Sequence, residues 1–117
     1  MVTGRWSETK PMNVTGVSAT EAAKLIEESK HVYLLDVRTR AEFELAHIDG
    51  SHLIPLQELQ GRIDEIPDGP ILVICHHGIR SMHAALFLSG QGFDQLLNLN
   101  GGIDAWSLTV DNSVPRY

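Results

Sequence analysis

The sequence predicts a single α/β domain built on an open, largely parallel sheet, and three observations carry that prediction. Short apolar runs rich in aliphatic residues, "HVYLLDV", "ILVI" and "QLLNL", show no clean alternation, as expected for strands covered on both faces. Segments with helical apolar spacing separate them, which is the pattern of helices packed over a parallel sheet. The chain has 117 residues, 43% of them hydrophobic, enough for one real core and too few for two independent ones.

Each element has a local signature. In "SATEAAKLIEESK", Ser18 is a candidate cap with Glu21 three residues later, and Ala22, Leu25 and Ile26 form an apolar face, so a helix is predicted that ends near Ser29. "HVYLLDV" follows as a strand. "RAEFELAHI" predicts a short helix with Phe43 and Ala46 inward, and "DGSHLIPL" a turn and a brief extended piece stopped by Pro55. Leu56, Leu59, Ile63 and Ile66 fall at near-helical spacing despite Gly61, predicting another helix before "PDGP" breaks the chain. "ILVI" is the most uniformly apolar tetrad and reads as the central strand, ending where Cys75 begins. A helix is predicted from Arg80, with Met82, Ala85 and Leu86 on one face and Gly90 and Gly92 at its end. "QLLNL" is a further strand, "NGG" a turn and "IDAW" a short helical turn, with Phe93 and Trp106 as cover for the sheet edge. The expected organisation is an N-terminal extension over residues 1–13, one domain over 14–110, and a tail over 111–117 packed on the outside.

A formal net charge of -6 and the lack of a basic run argue against nucleic-acid or membrane-surface partners. One cysteine forms no intrachain disulfide, and the first residues show no secretory pattern, so a cytoplasmic, reducing location is expected. Asn13–Thr15 matches a glycosylation sequon, to which that location gives little meaning. No apolar run approaches the roughly 18 residues of a membrane span.

The chemistry points to "CHHGIR". A lone cysteine after an apolar strand is commonly inert packing. Here, however, Cys75 stands at a strand-to-helix junction, where ligand sites of parallel sheets lie. If the loop curls, its backbone N–H groups converge on the sulfur, and with the positive end of the helix dipole they favour an anion, so Cys75 is expected as thiolate. Gly78 suits positive φ or close backbone approach, and Arg80 adds a fixed cation that either meets a bound anion or braces the loop. No metal is expected: adjacent His76 and His77 side chains in a tight loop should point in different directions, leaving them as loop lining or as ordinary exposed histidines. His83 reads as structural or solvent-facing.

Three segments in order, "LLDVRTRAEFELAHIDGSHLIPL", "ILVICHHGIRSMHAA" and "LLNLNGGIDAW", resemble the signatures of the rhodanese-like sulfurtransferases. Ala46 stands where glycine is usual before His47, and Ser51 where alanine is usual after Gly50. The resemblance implies a three-layer α/β/α fold with a mainly parallel, roughly five-stranded sheet. It implies no cofactor and a mechanism in which Cys75 takes the sulfane sulfur of a donor such as thiosulfate, becomes a persulfide and passes the sulfur to a thiophile. His76, His77, Gly78, Ile79, Arg80 and Ser81 would form the loop around that sulfur. Asp36, Arg38, Glu42 and His47 would be structural support, the first three as a polar network beside the loop. The tail "GGIDAWSLTVDNSVPRY" is similar to rhodanese-like domains that pass sulfur to small carrier proteins, so a carrier or other acceptor protein is a candidate partner beside small donors and thiophiles.

Two alternatives remain at this level. Cysteine-dependent phosphatases and arsenate reductases place five residues between Cys and Arg, whereas four lie between Cys75 and Arg80, and the smaller ring suits a sulfur atom better than a tetrahedral oxyanion. A binding module that has lost catalysis usually lacks the loop cysteine, which this chain keeps.

Overall fold

The computed structural model describes residues 14–29 and 31–117. The expected N-terminal extension and Asn13 of the sequon lie outside the described residues. Five strands form one sheet: β1 (Val14–Val17), β2 (Tyr33–Asp36), β3 (His52–Leu53), β4 (Ile71–Ile74) and β5 (Leu96–Leu99), in the order β1-β5-β4-β2-β3 with every pairing parallel. Four helices accompany them: α1 (Ala19–Glu28), α2 (Arg40–Leu45), α3 (Ile79–Gly90) and α4 (Gly102–Thr109). No helix among the described residues is long and apolar enough to cross a membrane.

β4 is central, as its uniform apolarity predicts, and its pleat divides the core. Leu72 and Ile74 join Ala22 of α1 and Ile103 and Trp106 of α4 on one face. Ile71, Val73 and Cys75 join Ala84, Ala85 and Leu88 of α3 on the other. Apolar on both faces is what a covered parallel strand requires, and the sheet is the middle of three layers. Trp106 is buried and Phe93 half-buried against these clusters.

Local chemistry starts the helices. Ser18 accepts from the Glu21 amide (3.1 Å) while Glu21 Oε1 accepts from the Ser18 amide (2.8 Å), the capping box that the sequence predicts. Thr39 and Glu42 make a second box at α2 that sequence reading did not single out. α2 stops at Leu45, one residue before Ala46, whose carbonyl accepts Arg38 Nη2 at 2.6 Å. Ala46 is buried as expected and Phe43 half-buried.

Several expectations need correction. β1 was not recognised, because "VTGV" is a short edge strand with one buried residue and no readable period. Leu56–Glu65 is not an α-helix but 3₁₀ turns kinked at Arg62 (φ -130°, ψ 17°). The apolar pairs Leu56/Leu59 and Ile63/Ile66 are each three apart, which fits the 3.0-residue turn. α3 begins at Ile79, and its fully buried face is Ser81, Ala84, Ala85 and Leu88, with Met82 and Leu86 half-buried. Its phase is set by the preceding loop, which turns Ser81 inward. The predicted turn at "IDAW" is the start of an eight-residue helix. Finally, the tail is not merely external: Val114 is buried and Tyr117 reaches the loop after β4.

Candidate active site

The carboxyl ends of three neighbouring strands supply the site: β4 ends at Cys75, β2 leads into Arg38 and α2, and β5 leads into Gly101 and Gly102. The segment from Cys75 to Arg80 turns directly into α3. Gly78 caps that helix at φ +101°, and a Cβ there would lie 3.2 Å from both the Gly101 nitrogen and the Leu99 carbonyl, so both properties expected of this glycine are present.

Cys75 is 1% exposed and packs in the core, yet its sulfur has polar partners. The Gly78 amide donates to Sγ at 3.0 Å, and Sγ lies 3.2 Å from Ser81 Oγ. Among the described residues these are its hydrogen bonds: where several loop amides were expected to converge on the sulfur, only that of Gly78 reaches it. Ser81 Oγ in turn donates to Oδ1 of Asn98 on β5.

Arg80 turns from the loop toward α2. Its guanidinium grips Glu42 through Nη1–Oε1 (2.7 Å) and Nη2–Oε2 (2.9 Å). The Arg80 hydrogen bonds, helped by Thr39 and Tyr117 against the cost of burial, hold the Glu42 carboxyl well below the usual carboxylate range. A lowered folded value means that this pair adds stability above the ordinary glutamate range and loses it as pH falls. Glu42→Gln is therefore expected to cost about 1–2 kcal/mol at pH 7. In urea unfolding, the gap to wild type should narrow as pH drops below about 4.5; a gap that stays constant with pH would contradict the assignment.

Asp36 and Arg38 form a pair with side chains 0% exposed on both sides. Arg38 Nε and Nη2 bond the Asp36 carboxylate at 2.7–3.1 Å, and Nη1 reaches the Glu42 carbonyl at 3.3 Å. Burial opposes the Arg38 charge, but the Asp36 bonds outweigh it and keep the guanidinium firmly protonated. Removing one partner of such a pair leaves an uncompensated buried charge, at a cost of about 3–5 kcal/mol. His47 does not join this network: it is exposed, stacks on Phe43 with centroids 4.2 Å apart, and bonds the Phe43 carbonyl at 2.8 Å.

Tyr117 closes the network, a residue that sequence reading did not single out. Its hydroxyl accepts from Arg38 Nη1 at 2.8 Å and donates to Glu42 Oε2 at 2.9 Å, and burial raises its phenol above the ordinary value, which keeps that proton in place. Its ring stacks on His76, centroids 4.0 Å apart and 9° from parallel. His76 and His77 do not diverge as expected. Their rings face each other at 3.9 Å with a 30° tilt, because the loop stacks them beside Tyr117. Burial, then the neighbouring His77, lower the His76 imidazole and favour its neutral form. One ligand atom each from His76, His77 and Asp104 lie within 4.8 Å of one another, a grouping that excludes Cys75. Asp104 is already engaged, with Arg116 on both carboxylate oxygens at 2.8 and 3.3 Å.

Ile79, which the loop was expected to include, is the first residue of α3 and is 69% exposed. Asn98 and Gly102 were also missed as site residues. Asn98 had a signal, a polar residue centred in the apolar run "LLNL"; Tyr117 had none, since its partners lie 75 and 79 residues away.

The family model described as the rhodanese-like domain matches residues 18–109, which spans the ends of β2, β4 and β5 that supply the site. The chain belongs to the rhodanese-like domain family. A thiosulfate sulfurtransferase GlpE from Shewanella oneidensis is 40% identical over 80 residues, covering 68% of this chain and 79% of the relative. Another, from Vibrio cholerae, is 36% identical over 86 residues, covering 73% and 81%. The crystal structure of a rhodanese-like domain protein from Staphylococcus aureus superposes with a TM-score of 0.76 at 26% identity, covering 88% of this chain and 98% of that one. In this rhodanese-like domain the matched region ends before the tail that carries Tyr117.

Proposed function

We propose that this rhodanese-like sulfurtransferase carries sulfane sulfur as a Cys75 persulfide, with thiosulfate as a competent donor. The Cys75 thiolate attacks the outer sulfur of thiosulfate, the donor's S–S bond breaks, and sulfite leaves with the electron pair. The product is Cys75–S–S⁻. A thiophile, either a small nucleophile such as cyanide or a protein thiol, then attacks the terminal sulfur and restores the Cys75 thiolate, giving two half-reactions and ping-pong kinetics. The loop amides from His76 to Ser81 are the donors proposed for the charge that passes through the terminal sulfur. Arg80 serves as the brace, and Asp36, Arg38 and Glu42 as the scaffold behind it. A reducing, cytoplasmic location suits a free thiol nucleophile.

The observation that carries this reading is the Gly78 N–H donated to Cys75 Sγ at 3.0 Å, in a four-residue loop at the end of the central strand. The commitment of Arg80 to Glu42 counts against the phosphatase alternative, which needs the arginine on an oxyanion. The test is intact-mass spectrometry after incubation with thiosulfate and removal of excess donor. A gain of one sulfur mass, reversed by cyanide, supports the reading, and an unchanged mass defeats it.

The same ion pair sets an expectation for affinity. Arg80 is the sole permanent cation between Cys75 and Ser81, and Glu42 neutralises it. The KM for dianionic thiosulfate should therefore lie above the low micromolar range and fall in Glu42→Gln, where the guanidinium is released; steady-state kinetics giving a low-micromolar wild-type KM would refute this.

A further inference from the structure

Asn98 sits in the middle of β5, paired with Val73 of β4 on one side and Gly16 of β1 on the other, and is 2% exposed. A polar side chain there is costly unless its amide is satisfied. Its partners lead into the active-site loop: Nδ2 donates to the Gly78 carbonyl (3.2 Å) and to Asn100 Oδ1 (3.1 Å), and Oδ1 accepts the Ser81 hydroxyl. The amide cannot be reversed, because the Gly78 carbonyl only accepts and so requires Nδ2. The single proton of Ser81 is therefore committed to Asn98, and the hydroxyl presents a lone pair to Cys75 Sγ at 3.2 Å. The sulfur thus meets two partners with opposite demands. The Gly78 N–H favours a thiolate, whereas the Ser81 lone pair is satisfied only by a protonated thiol.

We propose that Asn98 is a positioning residue that holds the Ser81 hydroxyl turned away from the sulfur, so that ionising or persulfidating Cys75 requires this hydroxyl to rotate out of its bond with Asn98. No covalent bond is made or broken in that rotation. Once Sγ has no proton to give, the Ser81 lone pair facing it turns unfavourable, and the proton swings about the Cβ–Oγ bond to Sγ. Asn98 Oδ1 is then left without that donor, a cost that opposes ionisation. The charged and titratable groups around the loop are Arg80 with Glu42 from α2, the Asp36–Arg38 pair at the end of β2, His76 and His77 within the loop, Asp104 on α4, and Tyr117 from the tail. All of them are shared by the variants compared below, so their fields cancel in the comparison.

The inference rests on Cys75 as the nucleophile, but its test reads the thiol and not sulfur transfer. Cys75 is the chain's single cysteine, so the ultraviolet absorbance of its thiolate, measured as a difference against Cys75→Ser, can be followed against pH. Wild type, Asn98→Leu, Ser81→Ala and the double variant form the set. Asn98→Leu is expected to move thiolate formation to lower pH by about one unit, a tenfold change in thiolate population below the midpoint, because the freed hydroxyl now donates to sulfur. In the Ser81→Ala background the same substitution should move it far less. Equal shifts in both backgrounds, or a shift to higher pH, overturn the proposal and leave Asn98 as a mere tether of Gly78. If the leucine variant does not fold, side-chain amide NMR of the folded proteins decides. Persulfidation should move the Asn98 amide signals in wild type and not in Ser81→Ala, and unmoved wild-type signals overturn the proposal. A protein that shows the thiol coupling but gains no sulfur from thiosulfate would sink the persulfide reading and leave this one intact.

Discussion

Cys75→Ser is expected to abolish sulfur transfer while the domain stays folded. The serine oxygen is smaller than sulfur and can keep both polar partners, the Gly78 amide and the Ser81 hydroxyl, so the buried position remains satisfied. The loss of sulfur from a close-packed environment is a small-volume change, and a stability cost of about 1 kcal/mol is expected. What disappears is the nucleophile. A serine hydroxyl with no adjacent base is a poor nucleophile, and removal of the covalent step in nucleophilic enzymes costs on the order of 10³-fold or more. Turnover of thiosulfate should fall to the uncatalysed background, and the sulfur mass gain should vanish. A serine variant that still gains sulfur would place the carrier elsewhere in the chain.

Gly102→Ala should damage both stability and turnover, because the second glycine of "NGG" is pressed against the active-site loop. A Cβ on Gly102 would lie 2.2 Å from the His76 carbonyl oxygen, 2.3 Å from its carbon and 2.6 Å from the Cys75 carbonyl oxygen, all backbone atoms that no rotamer change can move aside. The backbone is also at φ +63°, where an L side chain is strained. The contact is close because α4 begins by bonding the loop: the Ile103 amide donates to the Cys75 carbonyl at 2.8 Å and the Asp104 amide to the His76 carbonyl at 3.2 Å. Overpacking and left-handed strain together amount to about 2–5 kcal/mol, a large part of the roughly 5–15 kcal/mol that holds a small domain folded. Relief by moving the loop would shift the Gly78 amide off Sγ, so persulfide formation should slow even in the fraction that folds. Gly61→Ala is the control, since nothing lies within 4 Å of its added Cβ and its φ is not in the positive range; it should be neutral or slightly stabilising. Denaturant midpoints and single-turnover sulfur loading measure both effects, and a Gly102→Ala protein equal to wild type in each would contradict this account of the loop.

The four residues between Cys75 and Arg80 were legible in the sequence because they are contiguous: the backbone path from β4 into α3 is local, so spacing alone shows a short loop at a strand end. Ser18 with Glu21 was legible for the same reason, since a capping box is complete within four residues. The near-helical spacing of Leu56, Leu59, Ile63 and Ile66 misled because spacings of three and four serve either 3₁₀ or α turns, and only packing chooses between them. β1 was hidden because an edge strand of four residues, mostly exposed, has too little pattern to read.

The order of residues revealed an acidic α/β domain, a parallel central strand and a cysteine placed where strand becomes helix. It did so because helix caps, strand apolarity and loop length are properties of neighbouring residues. Which way Arg80 turns, that Tyr117 bridges Arg38 and Glu42, and that Asn98 reaches the cysteine through Ser81 emerge once the chain is folded. Each of these depends on side chains 17 to 79 positions apart meeting at one end of the sheet. Such meetings are set by strand order and register, which the spacing of residues along the chain does not encode.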